Sequence, residues 1–410
     1  MGVLAGFALL VGGADALQSQ WSSVLIGTTH FLTLGVVTTT MLGALFQLMP
    51  VLGGVGFPAT RKIATAVHLC LGSGTLLLAA GFVVQLPVLF NFALPLLLTA
   101  FCVFLSGIGY LLLHRLGSGT SMFCIRLASI ALLVTIVIGL IRAASYIPGV
   151  SVPDWSVLTV SVHFAWGLAG WVLILIMGVS YQVIPMFHVT PGYPVILARS
   201  VPSALLIALV VLTSVPGPVG RSLAGGLICT AMVVYAVCTL GLLNKRKRKL
   251  IDVTVNFWRL TMIGLLTVAG LFIGARLWDD PTSLIGQRLN MGIGIVAIYG
   301  VACSVIMGMM QKIIPFLLYL HLQRQAMSAP GLLSELPHGK LIVPDWCSMG
   351  QWWLHLAALV LLLAASWFEV LAAPAALMVI CDFAFLGYWI AAATRLYIRT
   401  QGRVRSALGM

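Results

Sequence analysis

The sequence predicts an all-α integral membrane protein of about twelve transmembrane helices in three pseudo-symmetric four-helix units, and three observations carry that prediction. Of 410 residues, 61% are hydrophobic and 8% charged, against about 25% charged in an ordinary soluble domain. Apolar runs long enough to cross a hydrocarbon layer of roughly 30 Å as helices recur from end to end. The basic residues gather in alternate loops. Lipid offers the backbone no hydrogen bonds, and these runs do not alternate in polarity, so helices rather than a barrel are the solution.

In chain order the runs fall at 2–17, 23–49, 63–86, 90–113, 122–146, 156–184, 200–215, 222–244, 257–278, 285–320, 350–370 and 374–397. The first lacks a basic leader and reads as a short span rather than a cleavable signal. Assigning loops alternately to two sides puts Arg142, Arg221, Arg276 and Arg288 on one side and the other eighteen of the 22 Lys and Arg on the opposite one. By the positive-inside rule the rich side is cytoplasmic, together with both termini, as in a bacterial-type inner membrane. The formal charge of +13 therefore marks topology, not nucleic acid, and lipid is the expected partner. Lys245 to Lys249 read as a topology anchor or an anionic-lipid patch, and Gln323 to Met349 as a cytoplasmic loop. The eight cysteines form no CxxC pair and read as small apolar residues.

Three runs end alike: Gly43-Ala-Leu-Phe-Gln-Leu-Met-Pro50, Gly178-Val-Ser-Tyr-Gln-Val-Ile-Pro185 and Gly308-Met-Met-Gln-Lys-Ile-Ile-Pro315. They belong to the second, sixth and tenth spans. A four-helix period follows, with units at about 1–113, 122–244 and 257–397 in a single membrane domain. Gly admits a close neighbour, and Pro is expected to stop the helix.

Ionisable side chains inside a bilayer are costly and mark sites by default. His30 and His163 lie toward the outer face, His68 and His355 toward the inner one. His30 and His163 stand 13 and 15 residues before Gly43 and Gly178. Two inward histidines at one depth suit a b-type haem or a copper ion, or each donates to a neighbouring carbonyl or hydroxyl. Arg142, Arg276 and Arg288 are candidate clamps for haem propionates, or partners of Asp154, Asp279 and Asp280. Asp382 is the clearly mid-span acid. His114, His188, His321 and His338 sit at cytoplasmic ends or loops and read as solvated. No P-loop, HExxH or Ser/His/Asp hydrolase pattern is legible.

With twelve spans, three units and outward histidines in the second and sixth, the chain resembles the central subunit of haem-copper oxidases and their non-oxidase relatives, including the NnrS family linked to nitric oxide stress. Thr29 to Gly43, continuing to Gln47 and Pro50, carries most of the likeness. The resemblance implies that His30 matches a low-spin haem ligand and His163 a copper ligand. It breaks down at the seventh and tenth spans, which lack the oxidase histidines and offer only Asn290 and Met291 at comparable depth.

Three functions follow as expectations. The first is a haem b protein, with or without copper, in redox chemistry or nitric oxide handling rather than oxygen reduction, served by an electron-transfer partner or respiratory subunit. The second is a transporter or channel for a small solute or metal. The third is a structural or assembly subunit of a respiratory complex.

Overall fold

The computed structural model describes residues 1–114, 119–153, 159–215, 217–247, 252–278, 280, 282–327, 336–337 and 339–407. Eleven of its helices are long and apolar enough to cross a membrane. These are α2 (Ser23–Pro50), α3 (Thr60–Val83), α4 (Val88–Leu113), α5 (Thr120–Ala144), α6 (Val160–His188), α7 (Val195–Ser214), α8 (Gly217–Asn244), α9 (Val253–Leu277), α10 (Leu284–Ala326), α11 (Asp345–Ala365) and α12 (Glu369–Ser406). The expected first span is shorter than the sequence suggested. Helix α1 covers only Gly2–Gly12 and breaks at Gly13, where φ is 56°. Its 11 residues reach about 16 Å, roughly half the hydrocarbon thickness. A second short helix, Asp15–Gln18, follows it.

Consecutive helices pack side by side, and α1 joins both α2 and α12, so the bundle closes on itself. Within that ring, α6 and α10 are the most enclosed, 61% and 78% buried over their apolar windows. Each of the three spans that carry the Gly-to-Pro ending also contains a π-helical stretch: Thr33–Thr38 in α2, Trp166–Leu173 in α6 and Val296–Cys303 in α10. Every one of these stretches ends five residues before its glycine. The α10 stretch packs on both others, and Trp171 Nε1 donates to Thr38 Oγ1 at 3.2 Å across α6 and α2. Wide π turns free carbonyls from the regular ladder and mark functional segments in many helices. Here the Thr39 hydroxyl donates to the carbonyl five residues back, Leu34 O, and the Ser304 hydroxyl lies 3.3 Å from the equivalent carbonyl, Tyr299 O.

Two details of the shared ending are clarified. Gly308 admits α9 closely, since a Cβ there would lie 2.5 Å from Phe257 Cβ. The prolines do not stop their helices: the helix of Pro50 continues to Gly53, that of Pro185 to His188, and α10 runs past Pro315 to Ala326. Neighbouring helices tolerate the single lost hydrogen bond in a buried span. Of the Gln323 to Met349 segment, the described parts include the short helix Gly339–Ile342 and buried Leu336, Ile342 and Val343. Residues 328–335 and 338 lie outside the described residues.

Candidate functional site: a histidine-faced cavity

Between α2, α5, α6, α8, α9 and α10 lies a cavity of about 820 Å³, within the range of cofactor and small-molecule sites. Its walls are largely apolar, with Phe82, Trp171 and Phe272 among them. His30 and His163 face each other in it, ring centroids 6.4 Å apart and planes inclined by 21°. Each stands three residues before the π stretch of its helix. The unequal 13- and 15-residue spacings to the glycines come from π stretches of 6 and 8 residues, so the two histidines occupy one structural position.

The rings are held differently. His30 Nδ1 lies 2.8 Å from Ile26 O, so Nδ1–H donates to the carbonyl and Nε2 keeps a free lone pair. Metal-binding imidazoles are commonly oriented this way. His30 also stacks on Phe82 at 5.7 Å. His163 lies against Gly139, where a Cβ would come within 2.8 Å of its Cε1. His163 Nδ1 is buried with no hydrogen-bond partner, an exception among buried polar atoms that a ligand would remove.

The two ring planes are close to parallel, and both imidazoles border the same cavity.

Among the described residues no carboxylate lines the cavity, whereas Arg142, Arg221 and Arg276 do, at the basic-poor ends of their helices. The Arg276 guanidinium also sits 5.1 Å over the Phe272 ring. Arg221 was missed as a site residue, although it belongs to the four basic residues of the basic-poor side. Arg288 is corrected: it is 8% exposed, donates to Leu17 O at 3.0 Å and does not line the cavity. It ties the end of the short second helix to α10 instead. Asp280 accepts from Thr282 and Ser283 stabilises the same turn. Asp154 and Asp279 lie outside the described residues.

Asn290 and Met291 both line the cavity. The position equivalent to His30 and His163 in α10, three residues before its π stretch, is Ile293, which lines the cavity too. Among the described residues no group of three or more His, Cys, Asp or Glu is placed to hold a metal.

The inner pair does not form. His68 is exposed on α3 and lines no described pocket. His355 is fully buried, with Nδ1 2.9 Å from Asp382 Oδ2 and Nε2 2.8 Å from Ser304 Oγ. A Ser/His/Asp line does therefore exist, assembled from α10, α11 and α12 and invisible to sequence spacing. Ser304, His355 and Asp382 are all fully buried.

At the basic-rich face, Asp252 takes an ion pair from Lys312 at 2.7 Å and faces His188 Nδ1 at 3.5 Å. His188 is buried rather than solvated, because α6 ends against the start of α9. Burial opposes the Asp252 charge, yet hydrogen bonds from His188, Lys312 and Thr254 outweigh it and hold the carboxyl well below the usual carboxylate range. His321 is exposed as expected; the His114 side chain and His338 lie outside the described residues. Neither a protein-family model nor a curated protein sequence matches this chain.

Proposed function

We propose that the chain is a haem-binding membrane protein that holds a b-type haem between His30 and His163, and that it serves electron transfer or nitric oxide handling rather than oxygen reduction. The observation that carries this reading is the pair of imidazoles 6.4 Å apart across a cavity of about 820 Å³. A haem in this place would supply one-electron chemistry. The chain's residues would do the rest. Ile26 O orients His30, the apolar walls exclude water, and Arg142, Arg221 and Arg276 meet the propionates with charged hydrogen bonds.

His30 and His163 would hold the haem, and nitric oxide would be the small ligand it offers a site for. Copper is less well supported, because Ile293 stands where a third imidazole would. The haem-copper-oxidase-like resemblance agrees in assigning His30 to a haem. In this reading the basic-rich face is cytoplasmic, and the cavity opens toward the outer side of a bacterial-type inner membrane, where a redox partner or respiratory subunit would dock.

The optical spectrum of the purified protein, oxidised and dithionite-reduced, tests the reading. The expected result is a Soret band that His30→Ala and His163→Ala both lose. A colourless protein from a haem-replete host contradicts it and favours the transport reading, for which an arginine-lined, largely apolar cavity suits an apolar anion.

A further inference from the structure

Beside the cavity, six buried polar side chains form one network: Tyr299 and Ser304 from α10, Gln351 and His355 from α11, Asp382 and Trp389 from α12. Asp382 accepts from the Tyr299 hydroxyl, from Gln351 Nε2 and from His355. Gln351 is steadied in turn by Trp389 Nε1 at 3.2 Å, and the Tyr299 ring stacks on His355 at 4.7 Å. Tyr299 is the member of the network that also lines the cavity.

The same heavy atoms satisfy two protonation states. With His355 neutral, Nδ1–H donates to Asp382 and Nε2 accepts from the Ser304 hydroxyl. With His355 charged, both nitrogens donate, and Ser304 turns its proton to Tyr299 O, 3.3 Å from its Oγ. A proton can therefore be gained or lost without stranding a buried polar group. Without it the carboxylate is a buried charge whose one basic partner, among the described residues, is His355. With it the pair is neutral overall, which burial favours.

The surroundings add little charge. From α10 come the titratable groups Tyr299 and Cys303, from α9 the Phe257 ring. Helix α1, packed on α12, carries no titratable side chain and brings only the Met1 α-amino group.

We propose that Asp382 and His355 form an intramembrane proton-binding site whose occupancy is linked, through Tyr299, to the charge held in the cavity. Negative charge arriving there raises the pair's affinity for a proton, and by linkage the proton raises affinity for that charge. The linkage rests on the cavity being a cofactor or anion site; the proton site itself does not. With a haem bound, one electron from dithionite would be matched by one proton taken from solvent.

Two readouts on the full-length protein separate these parts. Infrared difference spectra between acid and alkaline samples should show imidazole and carboxyl bands that vanish in Asp382→Asn. The midpoint potential should fall as pH rises in the wild type and flatten in Asp382→Asn and in Tyr299→Phe, which removes only a hydroxyl. If the protein is colourless, the haem reading fails, and the second readout becomes the pH dependence of binding of the apolar anion anilinonaphthalene sulfonate. Absence of any Asp382-dependent infrared change overturns the proton site. An Asp382-dependent change with a pH response unaltered by Tyr299→Phe and Asp382→Asn overturns the linkage.

Discussion

His30 and His355 are both intramembrane histidines on helices of one bundle, and their surroundings are opposite. His30 has space and few partners: one bond to its own helix, a facing imidazole and a large cavity. His355 has partners and no space, with a carboxylate on one nitrogen, a hydroxyl on the other and a tyrosine ring on its face. An imidazole with a free lone pair beside a void is built to receive something. One whose nitrogens are both engaged in a dry core holds helices together and can only trade a proton.

The contrast predicts opposite losses on substitution. The largest effect is on the cofactor: His30→Ala or His163→Ala should abolish haem binding while changing thermal stability of the ligand-free protein by little, because the side chains already border a void. Haem content and melting temperature, measured together, check both halves. Next comes His355→Ala, which leaves Asp382 buried without its partner. A loss of about 3–5 kcal/mol is expected, read as a lower melting temperature, with haem retained in the fraction that folds.

Arg221→Ala should weaken haem binding by about tenfold, the scale of one exposed charged hydrogen bond. Arg288→Ala should leave affinity unchanged and loosen the short helix Asp15–Gln18, visible as faster amide exchange there. The last effect concerns the cluster at the basic-rich face. Asp252 is held in its charged form by folding, so its contribution is fully present above its unfolded value near pH 4 and fades as pH falls below that. Asp252→Asn should cost about 1.5–3 kcal/mol at neutral pH and progressively less in acid, measured by thermal unfolding against pH.

The membrane class and the eleven long spans were legible because hydrocarbon thickness and backbone hydrogen bonding leave the sequence little choice. His30, His163 and the repeated ending were legible too, since a histidine in an apolar run is conspicuous. The π stretches were not: a turn of five leaves no residue signature, yet it alone reconciles the unequal spacings before Gly43 and Gly178. The inner pairing failed because depth says nothing of rotation about the helix axis, and His68 faces outward while His355 faces Asp382. The Ser304, His355 and Asp382 line joins residues far apart in sequence on three helices, a proximity that only the packing of α10 to α12 creates. Arg288 was misjudged for a similar reason, as its partner is a backbone carbonyl that no composition can reveal.

The central claim is that His30 and His163 both hold one haem, and electron paramagnetic resonance of the oxidised protein tests it most directly. The account predicts one low-spin ferric haem per chain, lost or converted to high spin by either single alanine substitution. A low-spin signal that survives unchanged in His163→Ala or in His30→Ala would contradict it, since one of the two imidazoles would then not be a ligand.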